Sequence, residues 1–99
     1  MTDINRIRGE VGVKIQGEIV PICLTLGALS KIETALGCES LADLQVRMKQ
    51  LSASELMLVF GELLNAGASR FAQADVKTLS VSPGHAAKAV AEAFHVALA

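Results

Sequence analysis

Cys23-Leu24-Thr25-Leu26-Gly27-Ala28-Leu29-Ser30-Lys31-Ile32-Glu33-Thr34-Ala35-Leu36-Gly37 reads as the end of a β-strand turning directly into a helix. Ile22, Cys23 and Leu24 supply the strand side. Thr25 suits an N-cap, because its hydroxyl can accept from an otherwise orphaned helix N–H. Leu29, Ile32 and Leu36 then recur at helical spacing, and Gly37 stands where a left-handed helix stop belongs. This is a structural joint, with no catalytic pattern in it.

Upstream of the joint, strict alternation begins at Glu10. Val11, Val13 and Ile15 point one way, while Glu10, Gly12, Lys14 and Gln16 point the other. Gln16-Gly17 supplies a tight turn. A two-residue loop there sets Ile15 opposite Glu18, Val13 opposite Val20 and Val11 opposite Ile22, so both apolar sets share one face. Strands are therefore expected at about residues 10–16 and 18–24, packed on helices by one face. Pro21 falls on the opposite face and cannot donate to a ladder, which leaves one side of the second strand unpaired there. Residues 1–8 carry no period and are expected to fray.

Downstream, Ser40 opens a second helix, with Asp43 three residues on as a weaker capping-box pattern. Leu41, Leu44, Met48 and Leu51 form its apolar stripe. Ser52 and Glu55 make a full S-x-x-E capping box for a third helix, with Leu51 and Leu56 at the positions of a hydrophobic staple. That helix carries Leu56 to Phe60, then Leu63 and Leu64, and is expected to stop near Gly67. Residues 68–82 read as a connector in which Phe71, Val76 and Leu79 mark a helical turn or two. Ser82-Pro83 starts a last helix. Its pattern puts Ala87, Val90, Ala91, Phe94, Ala97 and Leu98 on one face, with Lys88, Glu92 and His95 on the other. The expected fold is α+β, an N-terminal hairpin on a bundle of four or so helices in a single domain.

Composition narrows function. The 99 residues are 52% hydrophobic but only 3% aromatic, so the core is aliphatic. A formal charge of −1 lacks the clustered Lys and Arg of a general nucleic-acid binder. No apolar run approaches the roughly 20 residues that span a bilayer, and Met1 to Asn5 lack the order of a signal peptide. Two cysteines without a secretion signal are expected to be reduced thiols in the cytoplasm. His85 and His95 lie ten residues apart, too far for joint chelation on one helix, so no metal or other cofactor is expected. Neither Cys23 nor Cys38 has an adjacent base, the glycines form no phosphate-binding fingerprint, and the carboxylates are scattered singly. Both histidines and both cysteines read as structural or solvated.

What remains is surface. Val46 lies opposite the stripe of its helix, Leu58 falls on the side of Glu62 and Asn65, and Val96 sits at the edge of its own stripe. Clustered, such residues would mark a partner site. The candidate partner-binding residues are Leu58 and Glu62 on the third helix, Val46 on the second, and Pro21 at the hairpin edge.

The block from Arg8 to Gly67 resembles a small protein family of alphaproteobacterial gene transfer agents and related tailed phages, described as tail tube protein or tail assembly chaperone. The resemblance rests on Arg8-Gly9-Glu10-Val11, on Cys23-Leu24-Thr25-Leu26-Gly27-Ala28-Leu29 with Ile32-Glu33, Ala35 and Gly37, and on Ser40-Leu41-Ala42-Asp43-Leu44. The Leu-rich helix ending at Gly67 follows. Gln16-Gly17 departs from the pattern, where Asp-Gly is expected, and Ser69 to Ser82 match nothing in it. The resemblance implies no catalytic residues. It implies a non-catalytic role in tail morphogenesis, with the tape measure protein or tail tube subunits as partners and a homo-oligomer as one form. A chaperone would hold the apolar stripes of the tape measure protein until the tube assembles, in the cytoplasm. A tube or connector subunit would stay in the particle.

Overall fold

The structure, a computed structural model, describes residues 9–67 and 79–98. Among these, the order is β1 (Glu10–Ile15), β2 (Glu18–Cys23), α1 (Leu26–Leu36), α2 (Leu41–Met48), α3 (Ala53–Ala66) and α4 (Pro83–Leu98). This is the expected α+β arrangement. Phe71 and Val76 lie outside the described residues. Leu79 is half-buried against the core.

The hairpin has the register that alternation demands: Ile15 pairs with Glu18, Val13 with Val20 and Val11 with Ile22. Gln16 and Gly17 both take positive φ, 51° and 88°, which is the backbone of a two-residue turn matched to strand twist. Residues flanking such a loop exchange both of their hydrogen bonds. The backbone groups of Gly12 and Lys14 therefore point outward from β1, and those of Ile19 and Pro21 outward from β2. Pro21 consequently costs the ladder nothing.

Two further devices lock the joint. The Thr25 hydroxyl accepts from the Ala28 N–H at 3.1 Å. At the other end Gly37 has φ 71°, its N–H reaches the Thr34 carbonyl, and the Cys38 N–H reaches the Glu33 carbonyl at 2.9 Å. That pair of bonds is a Schellman stop. Thr25→Ala is expected to lower stability by about 1 kcal/mol, read as a reduced urea midpoint at unchanged slope.

Val11, Val13, Ile15, Val20 and Ile22 are buried beneath the helices with Leu29, Ile32, Leu44, Val59, Phe60, Leu63, Leu64 and Val90. α3 packs on β2 and α4 on β1, and the two helices pack against each other. The second face of the hairpin is not uniformly wet. Lys14 and Ile19 near the turn are exposed, whereas Glu10, Pro21 and Cys23 at the far end are buried. Part of the reason is Gly67, at the end of α3, whose Cα lies against the Pro21 carbonyl and the Ile22 Cα.

Two apolar stripes differ from expectation. On α4 the buried residues are Ala86, Ala89, Val90, Ala93 and Phe94, while Ala87, Ala91 and Ala97 are exposed and Leu98 is 37% exposed. Six alanines leave the pattern weakly determined; of the buried ones, Ala89 lies beside Gly12 and Val13 of β1. On α2 only Leu44 is buried; Leu41, at the first position, is 44% exposed.

The α2–α3 corner is held by one carboxylate. Glu55 accepts from the Ser52 N–H at 2.9 Å, while Ser52 Oγ accepts from the Glu55 N–H at 3.2 Å. The other carboxylate oxygen takes the Arg47 guanidinium. The Ser52 N–H and then Arg47 hold the Glu55 carboxyl below its ordinary value of 4.5. A depressed carboxyl favours the folded state above that ordinary value, and the benefit is lost as pH falls through the lowered one. Glu55→Gln is expected to reduce the urea midpoint at neutral pH, with the difference from wild type closing in the acid range. A difference that persisted below the depressed pKa would contradict this origin.

Candidate partner-binding surface

The helix caps and the α2–α3 corner described above fix α2, α3 and α4 so that apolar side chains are left between them. Grooves lined by described residues lie among these elements and beside β1. The first runs between α2 and α4, has a volume of about 330 Å³, and is lined by Gln45, Met48, Ala91, Phe94, His95 and Leu98. Gln45 and Met48 follow Leu41 at i+4 and i+7, so one face of α2 supplies its wall. Met48 is half-buried and Phe94 only 9% exposed, which makes a soft, adaptable floor.

The second groove, about 240 Å³, lies between the start of α3 and the start of α4, with Leu56, Met57, Phe60, Val81 and Pro83 among its walls. Ser82 opens α4 there: its hydroxyl accepts from the His85 N–H at 3.0 Å, and Pro83 takes the first helical position. The third, about 320 Å³, follows β1 beside α4 and is polar, with Lys14, His85, Lys88 and Glu92 around Gly12.

The four candidate residues do not converge on these grooves. Val46 is 63% exposed on α2. Leu58 is 38% exposed on α3, one turn before the half-buried Glu62, so these two share a strip. Pro21 is buried, so its side chain is withdrawn from the surface, unlike the edge position its sequence context implied. Leu26 was not singled out by pattern, yet it is the most exposed large apolar side chain among the described residues, at 85%. Its signal was faint: it stands at the first position of α1, off the stripe of Ala28, Leu29 and Ile32.

Among the described residues no group of His, Cys, Asp and Glu has metal-binding geometry, and no helix is long and apolar enough to cross a membrane. Residues 8–99 match the family described as phage tail tube protein, GTA-gp10. The chain belongs to that family. The match extends the resemblance from the hairpin and first three helices to the whole of α4. No curated protein and no solved structure matches the chain. As a phage or gene-transfer-agent tail protein it belongs among other tail proteins.

Proposed function

We propose that this tail protein is a tail assembly chaperone that holds the tape measure protein before the tube forms. The observation that carries the reading is the open α2–α4 groove. A long helical partner presents apolar stripes of residues spaced three and four apart, and a groove floored by Met48 and Phe94 takes such a stripe without demanding one sequence. Leu58 and Glu62 on α3 and Val46 on α2, which do not line that groove, are proposed as further contacts. Binding of this kind is modest in affinity, as release requires, and no catalytic step is involved. The chain would act in the cytoplasm and be absent from the finished particle. Purified particles analysed by quantitative mass spectrometry are expected to hold far less than one copy of this chain per tube subunit. Stoichiometric retention would overturn the chaperone reading.

A second reading has its own support. The family's description names a tube protein. A tube or connector subunit would appear stoichiometrically in the same particles, so one measurement separates the two.

A further inference from the structure

The sheet among the described residues has two strands, and its two outer edges are unequal. On the β2 edge, Pro21 offers no outward N–H, and Gly67 closes on the Pro21 carbonyl. On the β1 edge, the Gln16 N–H, nearest the turn, donates to the Ser80 carbonyl at 3.2 Å. Beyond that bond, the outward backbone groups of Lys14 and Gly12 have no backbone partner among the described residues. Gly12 carries no side chain to shield them. The polar groove described above runs along this same stretch, with α4 as its far wall.

We propose that the β1 edge takes up an extended, acidic segment of a partner protein as an added strand. Charge argues for the acidic character. Lys14 and Lys88 are exposed cations around the groove, with His85 between them in the lining, against one carboxylate, the half-buried Glu92. Geometry argues for a bare strand over a second copy of this fold. Helices pack about 8–10 Å apart, whereas paired strands lie only about 4.8 Å apart. With α3 on β2 and α4 on β1, α4 already overhangs the β1 edge. A second hairpin joined edge to edge would bring its own α4 about one strand spacing away, and the two helices would collide. A single extended chain brings no helix; it lies over the outer flank of α4, with Lys88 and His85 on one side of it and Lys14 on the other. Main-chain bonds supply the attachment and the cationic rim selects the sequence. The proposal holds whether the chain leaves the particle or stays in it.

The test is amide exchange and chemical-shift mapping on the full chain. The probes are a capped peptide of sequence Glu-Thr-Glu-Thr-Glu-Thr and its counterpart with Lys at the Glu positions. The acidic peptide is expected to bind with a dissociation constant on the order of a millimolar and to slow exchange at Gly12 and Lys14, whose amides face outward. Val13, already bonded within the hairpin, is expected to change little. The Lys peptide is expected to bind about tenfold more weakly. Lys14→Glu combined with Lys88→Glu alters only exposed side chains and is expected to reverse that preference. Unchanged Gly12 and Lys14 amides at millimolar acidic peptide would overturn the proposal. So would equal response to both peptides, or protection of the same amides by self-association without peptide.

Discussion

Gly67→Ala is expected to destabilise the protein by about 3 kcal/mol and to lower Tm by about 10–20 °C. Gly67 has φ −81° and ψ 156°, which any residue adopts, so the effect is not one of backbone freedom. It is one of space. A Cβ at this position would collide with the Pro21 carbonyl oxygen and stand 3.1 Å from its carbon and 3.2 Å from the Ile22 Cα. All of these are backbone atoms of a strand held by the β1 ladder. Relief requires shifting the end of α3 away from β2, which loosens Leu63 and Leu64, both fully buried. Gly84→Ala is the contrast. Nothing lies within 4 Å of its new Cβ, and it sits in the first turn of α4. That substitution is expected to be neutral or to stabilise by up to about 1 kcal/mol. Thermal unfolding followed by circular dichroism checks both. Equal midpoints for the two variants would show that α3 does not depend on this close approach.

The contrast between these glycines also shows what a sequence exposes. The hairpin register was legible because three constraints coincide: alternation in β1, alternation in β2, and a loop of fixed length. The caps at Thr25, Ser40, Ser52 and Ser82 were legible because each is a local bond within three residues. Even there the reciprocal contact differed on α2, where the Asp43 carboxylate accepts from the Glu39 N–H at 3.3 Å and not from its own cap residue. The buried face of α4 was legible only at Val90 and Phe94. Alanine carries little hydrophobic contrast, and the choice between Ala86-Ala89-Ala93 and Ala87-Ala91-Ala97 is made by packing on β1 and α3, not by the helix alone. The role of Gly67 was equally hidden, since it depends on a strand more than forty positions earlier. The candidate surface inherits both difficulties. The α2–α4 groove joins residues from distant parts of the chain, and its α4 wall is the face that periodicity assigned to the core. Val46 and Leu58 were visible as off-stripe residues because each departs from the pattern of its own helix.

Ala91→Glu combined with Leu98→Glu is expected to abolish solubilisation of a co-expressed tape measure protein and to weaken binding about a hundredfold or more. Ala91 is exposed and Leu98 is 37% exposed, and both line the groove from the α4 side. Surface substitutions of this kind usually move stability by no more than about 0.5 kcal/mol, so the melting temperature should be nearly unchanged. The effect on binding is different. An apolar helix stripe seated against Met48 and Phe94 would have to desolvate two carboxylates with no partner, at about 1–3 kcal/mol each. Ala87→Glu places the same charge on an exposed position of the same helix outside the groove, and should leave solubilisation intact. Fractionating the tape measure protein between soluble and pelleted material, beside the three forms of this chain, reads the result directly. Full solubilisation by the doubly charged variant would remove the α2–α4 groove as the holding site. The strip of Leu58 and Glu62 on α3 would then be the surface to charge next. Failure of wild type itself to solubilise the tape measure protein would favour the subunit reading, in which the groove is buried against a neighbouring tail protein in the particle.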